Sequence, residues 1–415
     1  METRALMGLK DKMCRRQSIK ILAVKSWRRI ENAATAFERC NFQSHPLRSR
    51  CLAPDTGRFY ICQVIDTTQK LEAFLPQVRA AAWLAVDTEA DSLHSYPEKV
   101  CLIQISMAAG DELVDPLAPI HLEALLDALS GRELTMHGAD YDLRMLLKHH
   151  AFIPNAIFDT MLAARLLGER QFGLGNLVEK YLGVKLEKGP QKANWAMRPL
   201  TERMERYARN DTHYLKPLEN RLKPELQTKS RLGWHQETCA RLVQECTRPG
   251  FVDTDSVWRI KGSSLLGRPG LAVLRELWQW RETEALAARR PPYFVLSHEA
   301  MVEIAAAAST RQPIGPSLPR HLSEHRRAGL TRAVAQGAAV PPEHQPRLPE
   351  RSHYRPTEAE RKRVLELQRR RDARAVELDI DPTLIASRAT LSALARDWDK
   401  HAGELMNWQR DLMKP

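Results

Sequence analysis

The chain has 415 residues, 43% hydrophobic and 27% charged, enough for two or three domains with buried cores. No apolar run approaches the roughly 18 residues of a membrane-spanning helix, and seven scattered cysteines without a Cys-x-x-Cys pair argue against a disulfide framework or zinc ribbon and suit a reducing cytoplasm, the expected location. The net charge of +12 is uneven, with +8 on residues 1–60 and +7 on residues 320–375 against −1 on residues 61–319 and −2 on residues 376–415, so RNA or DNA is the expected partner, with no membrane and no obligate protein partner.

Residues 1–57 form a basic extension, with Lys10, Lys12, Arg15, Arg16, Lys25, Arg28 and Arg29 flanking the apolar stretch Ile19–Val24. No small-residue cleavage site follows a long apolar core, so a secretory signal is not expected, and Asp11, Glu31 and Glu38 count against an organelle-targeting peptide. Its role stays unassigned. From Phe59 the texture changes. Tyr60–Ile65 reads as a strand, Gln69–Val78 as a helix capped by Thr67, and Trp83–Glu89 as a buried strand ending in two acids. Val100–Ser106 and Glu112–Asp115 are further strands. A helix around Leu122–Leu129 leads to the strand Leu134–His137, which Gly138 breaks. Strands followed by helices predict an α/β layer with a mixed sheet.

Four acids and a tyrosine stand out in that order. Asp87 and Glu89 project to one side of their strand end, and carboxylates so close repel each other unless a cation neutralises them. A solvated strand end reads the same way. Asp140 and Asp142 both open the helix whose buried stripe is Leu143, Leu146 and Leu147; the helix dipole alone favours an acid there. Asp159 reads as the cap of a helix running through Leu167. In the helix that Thr201 caps, Tyr207 and Asp211 stack one turn apart, as a core ring beside a surface carboxylate also would. Together, an Asp-x-Glu, an acid opening a helix about 50 residues later and a Tyr-x-x-x-Asp about 65 residues beyond that can converge on two divalent ions.

Val86-Asp87-Thr88-Glu89, His137-Gly138-x-x-x-Asp142-Leu143, Phe158-Asp159-Thr160-x-x-Ala163-Ala164, Trp195-x-x-Arg198-Pro199-Leu200 and Tyr207-Ala208-x-x-Asp211 together resemble the DEDDy 3′–5′ exonucleases, ribonuclease D most closely. The likeness covers roughly residues 59–220. It implies a ribonuclease H-like exonuclease fold, with Asp87, Glu89, Asp142 and Asp211 as metal-binding carboxylates for two magnesium or manganese ions and Tyr207 as the residue orienting the attacking water. Asp142 is chosen over Asp140 on the family spacing, and Asp140 remains the fallback. A DNA exonuclease of the same superfamily and a non-catalytic nucleic-acid-binding protein are the rival readings.

Beyond residue 262 the chain reads as helical and repeats itself. Leu277, Arg281, Glu282, Ala285, Pro292 and Val295 recur 90 residues later as Leu367, Arg371, Asp372, Ala375, Pro382 and Ile385, which argues for two copies of one helical module joined by a Pro-rich, charged linker, Gly337–Pro356. The first copy, through Leu277-Trp278-x-x-Arg281-Glu282 and Arg290–Leu296, resembles the HRDC domain, and the second is more degenerate. The expected architecture is an α/β ribonuclease H-like exonuclease domain at 58–228, then all-α HRDC-like domains at 262–340 and 355–415. The resemblance implies an RNA substrate, with tRNA 3′ ends expected. Trp278, Trp280, Tyr293 and Phe294 are expected in the core, and Arg326, Arg327, Arg361, Lys362, Arg363, Arg369 and Arg370 at phosphates.

Overall fold

The computed structural model describes residues 50–52, 59–61, 64–248, 256–319, 322–348 and 354–414, in two compact units, Met1–Cys62 and Gln63–Pro415. In the first unit the described residues form strands β1 (Arg50–Leu52) and β2 (Phe59–Ile61), antiparallel with Cys51 opposite Tyr60. The reading of residues 1–49 lies outside the described residues. The expected strand Tyr60–Ile65 is divided: Phe59–Ile61 pairs within the first unit, while Ile65 makes an isolated bridge to Val114 in the second.

The second unit begins with helix α1 (Thr68–Ala80). Thr67 caps it by accepting from the Lys70 amide, and Leu71, Phe74, Leu75 and Val78 form its buried stripe. Strands β3 (Leu84–Ala90), β4 (Val100–Met107) and β5 (Gly110–Val114) follow, then helix α2 (Glu123–Ser130), strand β6 (Glu133–Met136), helix α3 (Asp140–His150) and strand β7 (Ala156–Asp159). The sheet order is β5-β4-β3-β6-β7. Its first three strands are antiparallel, and β6 and β7 join parallel to β3. Every residue of β4 is buried, as a strand covered on both faces must be. Near-continuous apolar sequence in Val100–Ser106 is the cause.

Helices α4 (Thr160–Leu167), α5 (Leu174–Leu182), α6 (Glu202–His213), α7 (Leu215–Thr228) and α8 (Leu232–Thr247) complete the α/β layer. Thr201 caps α6 through the Met204 amide. Pro217 lies in the first turn of α7, where its missing N–H costs nothing. Helix α6 crosses β3, β4 and β5 and is pinned there by Ser106 Oγ, 2.7 Å from Thr212 Oγ1, and by His213 Nδ1, 2.7 Å from Asp111 Oδ2.

Two helical groups follow. In the first, α9 (Arg268–Ala288), α10 (His298–Ser309) and α11 (Glu324–Ala338) enclose a core of Leu274, Leu277, Met301, Ile304 and Leu330. The second comprises α12 (Glu358–Leu378), α13 (Pro382–Ile385), α14 (Arg388–Arg396), α15 (Trp398–His401) and α16 (Asn407–Met413). Helices α12 and α14 begin 90 residues after α9 and α10, so the repeat is one of structure as well as sequence. Gly337, expected to open the linker, instead lies buried in the last turn of α11.

The two groups attach differently. The second shares one apolar core with the exonuclease layer, where Leu367, Ile385 and Leu394 join Phe158, Leu166 and Leu222. Trp234 of α8 stacks on Trp408 of α16 at 4.9 Å, and Arg231 donates to the carbonyls of both Leu166 and Leu378 at 2.6 Å. The first meets the layer through polar contacts at the loop after β3: Tyr96 Oη donates to Glu282 Oε2 at 2.5 Å, and Tyr293 Oη to the Leu93 carbonyl at 3.0 Å.

Trp278 and Trp280 pack against the first group's core as expected, but Tyr293 and Phe294 are 50% and 48% exposed. The short 3-10 turn at Pro292–Phe294 turns both rings outward. Several expected phosphate contacts are engaged within the chain: Arg363 donates to the Ala395 carbonyl, Arg370 to that of Met413, and Arg326 and Lys362 pair with Glu284 and Glu358.

Candidate active site

Strand β3 delivers two acids to one face by its period of two, and its neighbours deliver the rest. Asp87 and Glu89 stand near its end. Between them Thr88 donates both its hydroxyl, at 2.5 Å, and its amide, at 3.2 Å, to Asp142 Oδ1. The Asp142 carboxylate is thereby held from α3 against the strand, and the residue is 6% exposed. Asp140 points away, its side chain 58% exposed and paired with Arg144 at 2.9 Å. Asp211 completes the group from α6, one turn beyond Tyr207. All five residues singled out in the sequence are brought together, and the fallback Asp140 is not among them.

The turn into α3 is held by a residue whose sequence reading was incomplete. Asp159 caps α4 through the Met161 and Leu162 amides. Its carboxylate also accepts from the amides of Gly138, at 3.1 Å, and Ala139, at 2.9 Å. Gly138 has φ +70°, a conformation that glycine adopts without a Cβ penalty. One buried acid therefore fixes the start of α3, and with it Asp142.

The electrostatics of the group follow from burial and like charge. Asp87 is held well above the usual carboxylate range by burial and then by Asp142, Asp211 and Glu89. Glu89 is pushed up to about 9 by burial, then by Asp211 and Asp142. Burial raises Asp211 to about 7 against the hydrogen bond from Tyr207, and Asp142 to about 6 against those from Thr88. Such carboxylates are ionised together only beside cations, and an all-oxygen donor set suits magnesium or manganese. Among the described residues no three His, Cys, Asp or Glu side chains stand close enough to hold one ion as they are.

A stability prediction follows. Each carboxyl has a folded-state value above its unfolded one, so the metal-free folded protein retains protons that the unfolded chain has lost between about pH 4 and about pH 9, and its stability falls as pH rises through that window. Magnesium should therefore raise the unfolding midpoint over that in chelator by an amount that grows with pH, to roughly 5 °C or more by pH 9. A gain independent of pH would place the ion elsewhere.

Tyr207 is raised too, by burial first and then by the charge of Asp211, with Gln191 opposing. Its hydroxyl keeps its proton at neutral pH and acts as a hydrogen-bond donor, not a base. Trp195, fully buried, lies beneath it with ring centroids 6.0 Å apart. Arg198 anchors that segment, donating to Asp115 Oδ1 and Oδ2, to the Cys101 carbonyl at 2.7 Å and to the Trp195 carbonyl at 2.7 Å.

A cleft of about 720 Å³ opens onto Tyr207 and Asp211, walled by residues 173–176 and 186–193. Gly189 in that wall lies on the tyrosine ring: a Cβ there would come within 1.5 Å of Tyr207 Cδ2. The sequence reading passed over this residue. Its only local signal was a Gly-Pro pair in a charged loop, which marks a turn and says nothing of what the turn touches.

Comparison with known proteins decides the family. A family described as 3′–5′ exonuclease matches residues 62–227, and the HRDC domain matches residues 270–312. A ribonuclease D of Gluconacetobacter diazotrophicus is 30% identical over 359 residues, spanning 84% of this chain and 90% of that protein. One of Jannaschia is 31% identical over 349 residues, spanning 80% and 88%. The chain belongs to the ribonuclease D family. Members of the ribonuclease D family are 3′–5′ exoribonucleases, and that is the activity of this chain. The solved structure of Escherichia coli RNase D superposes with a TM-score of 0.65 at 25% identity, over 85% of this chain and 98% of that one.

Proposed function

We propose that the protein trims the 3′ ends of structured RNA, tRNA precursors above all, by hydrolysis at a site that binds two divalent ions. The observation that carries this is the set of four carboxylates, Asp142 buried and Asp87, Glu89 and Asp211 half-buried, all with raised proton affinity, beside a protonated Tyr207 that with Asp211 lines a cleft. These four carboxylates would hold the ions, which when bound supply acidification of the attacking water and neutralise charge at the departing 3′ oxygen.

The chain's own groups do the rest. Tyr207 hydrogen-bonds the water through its hydroxyl oxygen and orients it in line with the terminal phosphodiester, Thr88 holds Asp142 in place, and the cleft wall seats the terminal nucleotide. Water adds to phosphorus, the bond to the 3′ oxygen breaks, and a nucleoside 5′-monophosphate leaves behind a new 3′ hydroxyl. The preference for structured RNA is supported by the relative from Escherichia coli, described as an exoribonuclease involved in structured RNA processing. Cys101, Cys239 and Cys246, buried and unbridged, suit the proposed cytoplasmic setting.

The test is digestion of a 5′-labelled tRNA carrying a short 3′ extension, beside a DNA strand of matched sequence, in magnesium and in EDTA. A magnesium-dependent ladder shortening from the 3′ end of the RNA is expected. Equal digestion of the DNA would favour the DNA exonuclease, and an intact label on bound RNA a binding protein.

A further inference from the structure

We propose that Tyr293 and Phe294, together with Leu93, form a stacking platform for the unpaired RNA bases upstream of the bond being cleaved. This rests on the exoribonuclease reading and extends it by assigning a path to the substrate. Three exposed apolar side chains lie at the seam between the first helical group and the exonuclease layer: Leu93 at 42%, Tyr293 at 50% and Phe294 at 48% exposure. The two rings lie 4.4 Å apart, and the Tyr293 hydroxyl reaches the Leu93 carbonyl at 3.0 Å. The ring pair is therefore tied to the exonuclease layer at Leu93.

Its place makes RNA the occupant. Leu93 is four residues beyond Glu89, so chain length alone keeps their Cα atoms within about 14 Å. The next residue, His94, contacts the Lys192 carbonyl at 3.0 Å in the wall of the cleft that opens onto Tyr207 and Asp211. A strand whose 3′ end lies in the cleft meets this ridge within a few nucleotides. Arg289 and Arg290 follow the last residue of the helix and precede the rings, both exposed and with no ion pair among the described residues, which supplies charge for a phosphate backbone. Half-exposed aromatic faces beside unpaired arginines are what sequence-independent single-strand binding requires, because every base has a π-face. No part of the first group's core depends on Phe294, which lies outside it; its exposure is not explained by packing.

The experiment compares Phe294→Ala and Phe294→Trp with the wild type on a single-stranded RNA 12-mer and on a dinucleotide too short to span from the cleft to the ridge. For Phe294→Ala the ratio of kcat/KM for the 12-mer to that for the dinucleotide should fall about tenfold, through KM, since loss of one base stack is worth about that much. Phe294→Trp should restore it. In parallel, affinity for a fluorescent 12-mer in EDTA should weaken by a similar factor. An unchanged ratio and affinity would overturn the platform and leave the ridge to a protein partner; equal losses on both substrates would also overturn it. Failure of the wild type to hydrolyse either RNA would instead strike the exoribonuclease reading, while the binding arm still decides on the ridge.

Discussion

Asp87→Asn should abolish hydrolysis, by on the order of 10³-fold or more, while RNA binding persists. The carboxylate has three acidic neighbours acting on it and is held well above the ordinary range. It serves only when cations offset that repulsion. Asparagine has the shape of the protonated acid but is a poor ligand for a hard cation, so it removes the chemistry and little packing. By the same reasoning the metal-free variant should unfold at no lower temperature than the wild type at neutral pH, because the carboxyl whose ionisation folding disfavours has gone. Circular dichroism melts and a filter-binding assay beside the digestion would check all three. Retention of activity within tenfold, or a collapsed fold, would count against a metal-binding role for Asp87.

Gly189→Ala is the second large effect, and it acts at a residue that touches no carboxylate in the cluster. The added Cβ would meet Tyr207 Cδ2, Cε2 and Cγ at 1.5, 2.1 and 2.4 Å. Cγ stands next to the backbone, so the ring has no flexible end to yield. Either the ring swings from Asp211 or the loop lifts and takes Gln191 with it, and both spoil the position of the hydroxyl. Misplacement on the ångström scale costs about 10²-fold in rate, and that fall in kcat is expected here. Tyr207→Phe sets the ceiling by removing the hydroxyl. Since both changes act through that one group, the double variant should be no slower than Tyr207→Phe alone. Additive losses in single-turnover kinetics would mean that Gly189 works by some other route.

How much of this was legible in the sequence depended on distance along the chain. The period-two alternation of β3 placed Asp87 and Glu89 on one side, and the helical spacing of Tyr207 and Asp211 stacked them. Thr67, Asp159 and Thr201 announced the helix starts that they cap. The 90-residue repeat foretold a second helical group with matching helices. All of these are local rules of backbone geometry, in which a side chain's direction follows from its own element.

The tertiary structure decided whatever depended on one element's rotation against another. Asp140 and Asp142 both occupy the first turn of α3, and only the docking of that helix against Thr88, 54 residues away in sequence, separates the buried acid from the exposed one. Asp159 reads as a cap, yet its second pair of hydrogen bonds exists only because β7 lies beside β6. Tyr293 and Phe294 look like core residues until the turn that carries them is seen to face outward. Gly189 shows no periodicity at all; what makes it indispensable is a ring from a helix that begins 13 residues later. By itself the sequence determined which elements form and which residues share a face. Which faces meet was decided by packing, because contact between distant segments is a property of their joint burial and leaves no period in either one.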